Sequence, residues 1–337
     1  MSRYASAYKN PEGPGDSRPT ALDVIKDEGL TNALTGKVAL VTGANTALGL
    51  ETARALHAAG ITVYISARTA AKAESAIKSI QASNSSSSAP LHTLELSLDS
   101  FESVRRAAAD FLSRSPQLNI LVCNAGVMAT PEGRTASGFE TQFGICHLGH
   151  FLLFSLLKEA LLASSTPEFN SRVVAVSSVG HRGGGVLFDD YNFEKTPYEP
   201  WRAYGQAKTA NIYMANEIER RYGARGLHAL SLHPGAIKSG LQAYIDDAQM
   251  KAWDSEKGLW RSPEQGAATT VYAAVSKEWE GRGGRFLADC VEKGPMVPGN
   301  PMVAPGDEGY APWAFDEESA KKLWADSCKF VGVENDE

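Results

Sequence analysis

No run of eighteen consecutive apolar residues occurs in the 337-residue chain, so no membrane-spanning helix is expected. Cysteine is scarce. Cys123, Cys146, Cys290 and Cys328 are the full set, and their spacing fits no zinc motif. A chain of this length needs no disulfide framework, so they are expected to be reduced, partly buried thiols. Basic charge is also short, with 33 Lys and Arg against 39 Asp and Glu. A net charge of −6 argues against a nucleic-acid partner. The first residues (Ser2, Arg3, Tyr4, Lys9, Asn10) lack the apolar core of a signal peptide, and a cytoplasmic protein is expected. Of His147, His150, His181 and His233, the first two are three apart on an apolar helix but have no carboxylate partner nearby in sequence, so buried or cofactor-adjacent histidines and no metal site are expected. The remaining composition, 43% hydrophobic and 21% charged, is that of an ordinary soluble domain.

A regular alternation starts at Lys37. Val38 to Val41 is a short apolar run, as expected for a strand buried on both faces of a parallel sheet. Helix is expected over 48–59, strand over 61–66, helix over 70–81, strand over 91–96, helix over 101–112 and strand over 118–123. A long helix (139–163), a strand (172–178), a helix (201–222), a strand (228–232), a helix (264–276) and a strand (285–288) follow. Asn84 to Ser88 is a serine-rich surface loop. The pattern predicts an α/β fold: a Rossmann-type, doubly wound parallel sheet in a single domain, with substrate-loop insertions and terminal extensions. The domain is placed at 37–295, between an N-terminal arm (1–36, one short helix at 21–27) and a C-terminal extension (296–337).

Three segments carry chemistry. Thr42-Gly43-Ala44-Asn45-Thr46-Ala47-Leu48-Gly49 joins the first strand to its helix. Gly43 permits a tight turn, Gly49 lets the helix pack closely, and the helix N-terminus aims its free N–H groups at a pyrophosphate. Asn45, Thr46 and Leu48 lie in the same loop. The second strand ends at Ala67-Arg68, where an NAD enzyme usually carries an acidic residue. A guanidinium suits a 2′-phosphate, so Arg68 points to NADP(H). Tyr204 and Lys208 are four apart on a predicted helix and share one face. An ammonium beside a phenol favours the phenolate, so the Tyr204 pKa is expected below its usual value near 10.

The glycine loop resembles the T-G-x-x-x-G-x-G of the short-chain dehydrogenase/reductase superfamily, with Ala47 in place of the middle glycine. Leu94-Glu95-Leu96 resembles its L-D-L, which implies that Glu95 and Leu96 contact adenine. Cys123-Asn124-Ala125-Gly126 resembles N-N-A-G, and Asn124, Ala125 and Gly126 would line the cofactor ribose. The resemblance makes Ser178, with Ser177 as the lesser candidate, the serine that holds the substrate oxygen. Pro234, Gly235, Ile237 and Ser239 would flank the nicotinamide. Tyr204 becomes the general acid/base and Lys208 its partner on the nicotinamide ribose. Gly138 to Gly144, His147 to Phe151, Trp201 to Gln206 and Gln265 to Thr269 resemble the retinol-dehydrogenase-like and WW-domain-oxidoreductase-like branch.

In that family an asparagine stands where this chain has Cys146, and its main-chain carbonyl holds a water in the proton relay. Three readings of Cys146 stand: a tolerated replacement, a fold turned to another step, or a redox-sensitive thiol. The resemblance implies an NADP(H)-dependent oxidoreductase acting on a carbonyl or secondary alcohol. The alternatives are a non-redox step (isomerisation or cyclisation) and nucleotide binding without turnover. Residues 181–200 and 241–260 should frame the substrate. Tyr198, Trp201, Tyr244, Trp253 and Trp260 suit a hydrophobic or aromatic small molecule, or simply pack the flaps. The apolar helices around Phe151 and Ile212 make a homodimer an option, unless arm and tail cover them.

Overall fold

The structure is a computed structural model that describes residues 2–83, 87–299 and 307–336. The serine loop is therefore described only at Ser87 and Ser88. The strands β1 (Val38–Val41), β2 (Thr62–Ala67), β3 (Leu91–Glu95), β4 (Ile120–Cys123), β5 (Ser171–Val176), β6 (Leu227–Leu232), β9 (Arg285–Ala288) and β10 (Val291–Glu292) form one sheet. Their order is β10-β9-β6-β5-β4-β1-β2-β3, and every pairing is parallel except β9 with β10. The chain reverses direction across the sheet between β1 and β4, so a crevice opens at the carboxyl ends of those strands. A small parallel pair, β7 (Ala236–Ile237) with β8 (Trp260–Arg261), stands beside it.

Alternate strand residues feed two cores. Val38 and Leu40 face α4 (Phe101–Arg114), α6 (Gly149–Ser164), α7 (Pro200–Tyr222) and α10 (Glu317–Val331). Ala39 and Val41 face α1 (Ala21–Asp27), α2 (Ala47–Ala58), α3 (Ala70–Ser83) and α9 (Pro263–Val275). The expected long helix is one continuous helical run, Thr141–Ser164, made of α5 (Thr141–Phe143), a π turn (Gly144–Leu148) and α6. By length and composition this run is apolar enough to cross a membrane. However, 67% of its most apolar stretch is buried inside the protein, as in a core helix.

Both termini belong to these cores. Tyr4, Val24, Ile25 and Leu30 pack beneath α9 and α2. Leu323, Trp324, Cys328 and Val331 of α10 pack on the opposite side. The Trp324 ring meets Phe151 edge-on at 4.9 Å and Phe154 at 6.1 Å. Ile212 is sealed by Phe286 and Ala314. The chain's own tail thus covers the apolar helix faces that left a homodimer open.

Candidate active site

The crevice is a cleft of 1250 Å³ whose floor joins the glycine loop to the Tyr204 helix. Gly43 has φ +61°, and a Cβ there would lie 2.9 Å from the Ala125 Cβ. At Gly49 a Cβ would fall 2.4 Å from the Gly43 carbonyl oxygen, so only glycine lets α2 approach β1 this closely. Ala47, the replacement for the family's glycine, has φ +43°, a left-handed conformation that strains any residue with a Cβ. The Asn124 side chain donates to the carbonyls of Thr42 (2.8 Å) and Gly43 (3.5 Å). The Asn124 and Ala125 amides donate to the Thr42 hydroxyl, each at 2.9 Å. These bonds lock the β1 and β4 loops into one wall. Asn45, Thr46, Leu48, Arg68, Leu96 and Gly126 line the same cleft. Arg68 is exposed at its mouth. Glu95 is the exception: it is not among the lining residues, and its carboxylate accepts from the Ala70 amide at the start of α3 (3.3 Å).

At the other end Tyr204 is 3% exposed, and the Lys208 ammonium lies 5.6 Å from its ring centre. Lys208 Nζ donates to the Val176 carbonyl at 3.0 Å. The Tyr204 pKa is raised, not lowered as expected. Burial disfavours the phenolate most, and Lys208 and a hydrogen bond with Ser178 offset it only in part. The two serines differ in direction. Ser177 turns inward and donates to the Lys208 carbonyl at 2.7 Å. Ser178 accepts from the Gly180 amide at 3.0 Å beside the Tyr204 phenol.

Gly180 is a site residue that sequence reasoning passed over. A Cβ there would lie 2.6 Å from Tyr204 Cε1, so the glycine makes room for the ring. Its only signal was a glycine two residues after Ser178. Pro234, Gly235, Ile237 and Ser239 line the cleft as expected, with Gly235 at φ +90°.

Cys146 sits inside the π turn and is fully buried. Its thiol accepts from the Val127 amide and donates to the Val127 carbonyl, both at 3.5 Å. Burial raises its pKa, against the pull of Lys208, so the redox-sensitive reading is not supported. The carbonyl expected to hold a water accepts from His150 Nδ1 at 2.9 Å. A π turn shifts the helical ladder by one residue (Gly149 N–H donates to Gly144 O), and a side-chain donor takes up the disturbed carbonyl row. The chemistry fixes the His150 tautomer. A carbonyl only accepts, so Nδ1 carries the proton. Burial pushes the pKa down to about 4, so the ring is neutral and Nε2 accepts from the Thr42 hydroxyl at 2.8 Å. His150 therefore ties the helical run that carries Cys146 to the nucleotide loop. His147 is buried too, with Nε2 2.8 Å from the Ser327 hydroxyl.

The substrate side departs from expectation. Residues 181–200 do not line the cleft. Val186, Phe188 and Tyr191 turn to the core covered by α10, and Arg182 holds the Asp307 and Gly309 carbonyls of the C-terminal segment. Tyr198 also points inward, donating to the Thr130 carbonyl (3.0 Å) and accepting from the Gln142 amide (3.0 Å). The other four aromatics do line it. Tyr204 to Trp201 (6.0 Å), Trp201 to Trp253 (6.0 Å) and Trp253 to Trp260 (6.2 Å) form a ladder of edge-on rings leading away from the phenol. Arm residues Tyr8 to Glu12 and Arg18, and tail residues Asp307 and Glu308, complete the walls. Their composition gave no sign of this.

The short chain dehydrogenase family model matches residues 37–250. This chain belongs to the short-chain dehydrogenase/reductase family. The short-chain dehydrogenase/reductase prx1 of Penicillium roqueforti is 49% identical over 98% of this chain and 95% of its own length. Human retinol dehydrogenase 12 is 36% identical over 89% and 88%. Among solved structures, an uncharacterized protein from Mycobacterium paratuberculosis superposes with a TM-score of 0.65 at 32% identity, covering 89% of this chain and 95% of that one. Membership makes the chain a dehydrogenase/reductase with a nicotinamide cofactor and a small-molecule substrate. In this family member the glycine loop fits a dinucleotide: Gly43 and Gly49 let the β4 loop and α2 close on the turn, and Thr46, Ala47 and Leu48 at the N-terminus of α2 line the cleft.

Proposed function

We propose that the protein is an NADP(H)-dependent oxidoreductase acting on the carbonyl or secondary alcohol of a hydrophobic or aromatic small molecule. The observation that carries this reading is the joining of Ser178, Tyr204 and Lys208 to an aromatic ladder at the end of a dinucleotide cleft. Ser178 holds the substrate oxygen by its hydroxyl. Tyr204 gives that oxygen a proton during reduction and takes it back during oxidation. Lys208 favours the charged phenol when the proton is away, against the cost of burial. When bound, a nicotinamide cofactor would supply the hydride chemistry at the substrate carbon. Arg68, exposed at the cleft mouth behind the small Ala67, supports a 2′-phosphate and hence NADP(H). The ladder supports flat, apolar substrates, and the name of the retinol dehydrogenase relatives points the same way. The four free, buried cysteines fit a cytoplasmic protein.

The test is oxidation of NADPH against aromatic ketones, quinones and aldehydes. Turnover that Tyr204→Phe lowers by about 10²–10⁴-fold supports the reading. Cofactor binding without consumption on every substrate refutes it. A parallel titration with NADH addresses Arg68, and equal affinity for both cofactors removes that argument.

A further inference from the structure

The segment from Leu241 to Leu259 carries Trp253, a rung of the ladder, and Tyr244 of the cleft wall. None of the residues of its helix α8 (Asp247–Ser255) is buried. The segment rests on half-buried side chains, with Leu241, Ile245 and Trp253 packed on Met128, Ala129 and Tyr204 and Asp254 paired with Lys238 at 2.7 Å, so its position also depends on contacts at its ends. At its C-terminal root those contacts come from the N-terminal arm. Arg18, 3% exposed, donates to the carbonyls of Gly258 (3.1 Å) and Trp260 (2.7 Å) and, within the arm, to that of Gly13 (3.0 Å). Its Nε donates to Asp16 at 2.9 Å. Burial opposes ionisation of Asp16, but Arg18 and the Glu12 and Gly13 amides hold its pKa well below the usual carboxylate range. Gln265, at the start of α9, receives the Gly15 amide (3.0 Å) and donates to the Asp16 and Arg18 carbonyls. The backbone of Pro11 lies so close to Gly258 that a Cβ there would meet the Pro11 oxygen at 2.3 Å.

We propose that the N-terminal arm is a specificity element of the active site: Arg18 latches the 241–259 flap, and this fixes Trp253 in the aromatic ladder that selects bulky aromatic substrates. Arg18 acts through the flap and is a positioning residue. The selectivity claim rests on the reading of the cleft as a carbonyl-reducing site, whereas the latch itself does not. A guanidinium spans several carbonyls at once because its donors are planar and fixed, which an ammonium cannot reproduce.

The experiment uses the full chain with Arg18→Gln and Arg18→Lys, each checked for an unchanged far-UV circular dichroism spectrum. Trypsin cleavage at Lys251 and Lys257 reads the latch without any activity. It should accelerate about tenfold in Arg18→Gln, with Arg18→Lys between that and wild type. Unchanged cleavage overturns the latch. Steady-state kinetics on a fused-ring aromatic ketone and a short aliphatic aldehyde read the selectivity. The kcat/KM ratio, aromatic over aliphatic, should fall about tenfold, through KM for the aromatic substrate rather than kcat. A preserved ratio alongside faster cleavage overturns the specificity role. If wild-type protein turns over neither carbonyl, the carbonyl reading and the selectivity claim fall together, and the proteolysis result still decides the latch.

Discussion

Acidification from pH 7.5 to 5.5 should destabilise this protein, and buried histidines set the size of the effect. Burial pushes the pKa of His147 down to about 3, and those of His150 and His181 down to about 4. That of His233 is held well below the ordinary 6.5, again by burial first. All four are neutral in the folded state, whereas in the unfolded chain each titrates near 6.5. Below that pH the unfolded chain binds more protons, so stability is lost as the pH falls from 6.5 toward the folded values. At pH 5.5 each histidine favours unfolding by about 1.4 kcal/mol, and the four together by roughly 5–6 kcal/mol.

Glu308 works in the opposite direction. Burial, reinforced by Asp289, raises its pKa to about 7, so the folded state gains a proton in the same window. That returns about 2 kcal/mol. Glu140, raised by burial, acts with the same sign. The histidines prevail, with a net loss of roughly 3 kcal/mol. At an unfolding entropy of about 2.1 cal/mol/K per residue, this lowers Tm by about 4–5 °C for a chain of this length. Circular dichroism melts at matched ionic strength check it. A Tm that stays level or rises between pH 7.5 and 5.5 refutes the burial argument.

Three substitutions address particular contacts. Gly180→Ala places a methyl group 2.6 Å from the Tyr204 ring, and should cut kcat about 100-fold while leaving cofactor affinity intact by fluorescence titration. Ala47→Gly removes a Cβ from a φ of +43° and should raise stability by about 0.5–1 kcal/mol in urea unfolding. His150→Asn keeps a donor near the Cys146 carbonyl, and His150→Gln keeps a partner near the Thr42 hydroxyl. If His150 couples the two, Asn should preserve kcat better and Gln should preserve cofactor affinity better, each by several-fold. Equal losses in both variants would show that His150 only fills space.

The fold was open to sequence reasoning because its signals are local. Val38–Val41 reads as a buried parallel strand from four apolar residues in a row. The Tyr204 helix reads from its spacing, with Pro200 at its first turn. The glycine loop, Tyr204 and Lys208 were legible for the same reason: strand, turn and helix are contiguous, and the chemistry needs those residue types at those offsets. Tyr198 was misplaced because composition cannot say which way a ring faces. Its partners Thr130 and Gln142 come from a distant loop and helix. The arm was set apart as polar, yet its one buried arginine serves the flap.

The amino-acid order alone thus determined the doubly wound sheet, the nucleotide end and the pairing of Tyr204 with Lys208, since each depends on near neighbours in the chain. Burial and long-range contact decided the rest. They turned the Ser177 hydroxyl to the Lys208 carbonyl and left Ser178 beside the phenol, raised the Tyr204 pKa where a neighbouring lysine predicted the reverse, and placed His150 on the Cys146 carbonyl. They also brought both termini to the walls of the site. Desolvation and hydrogen-bond direction are properties of packed neighbours, and those neighbours are assembled only when the chain has folded.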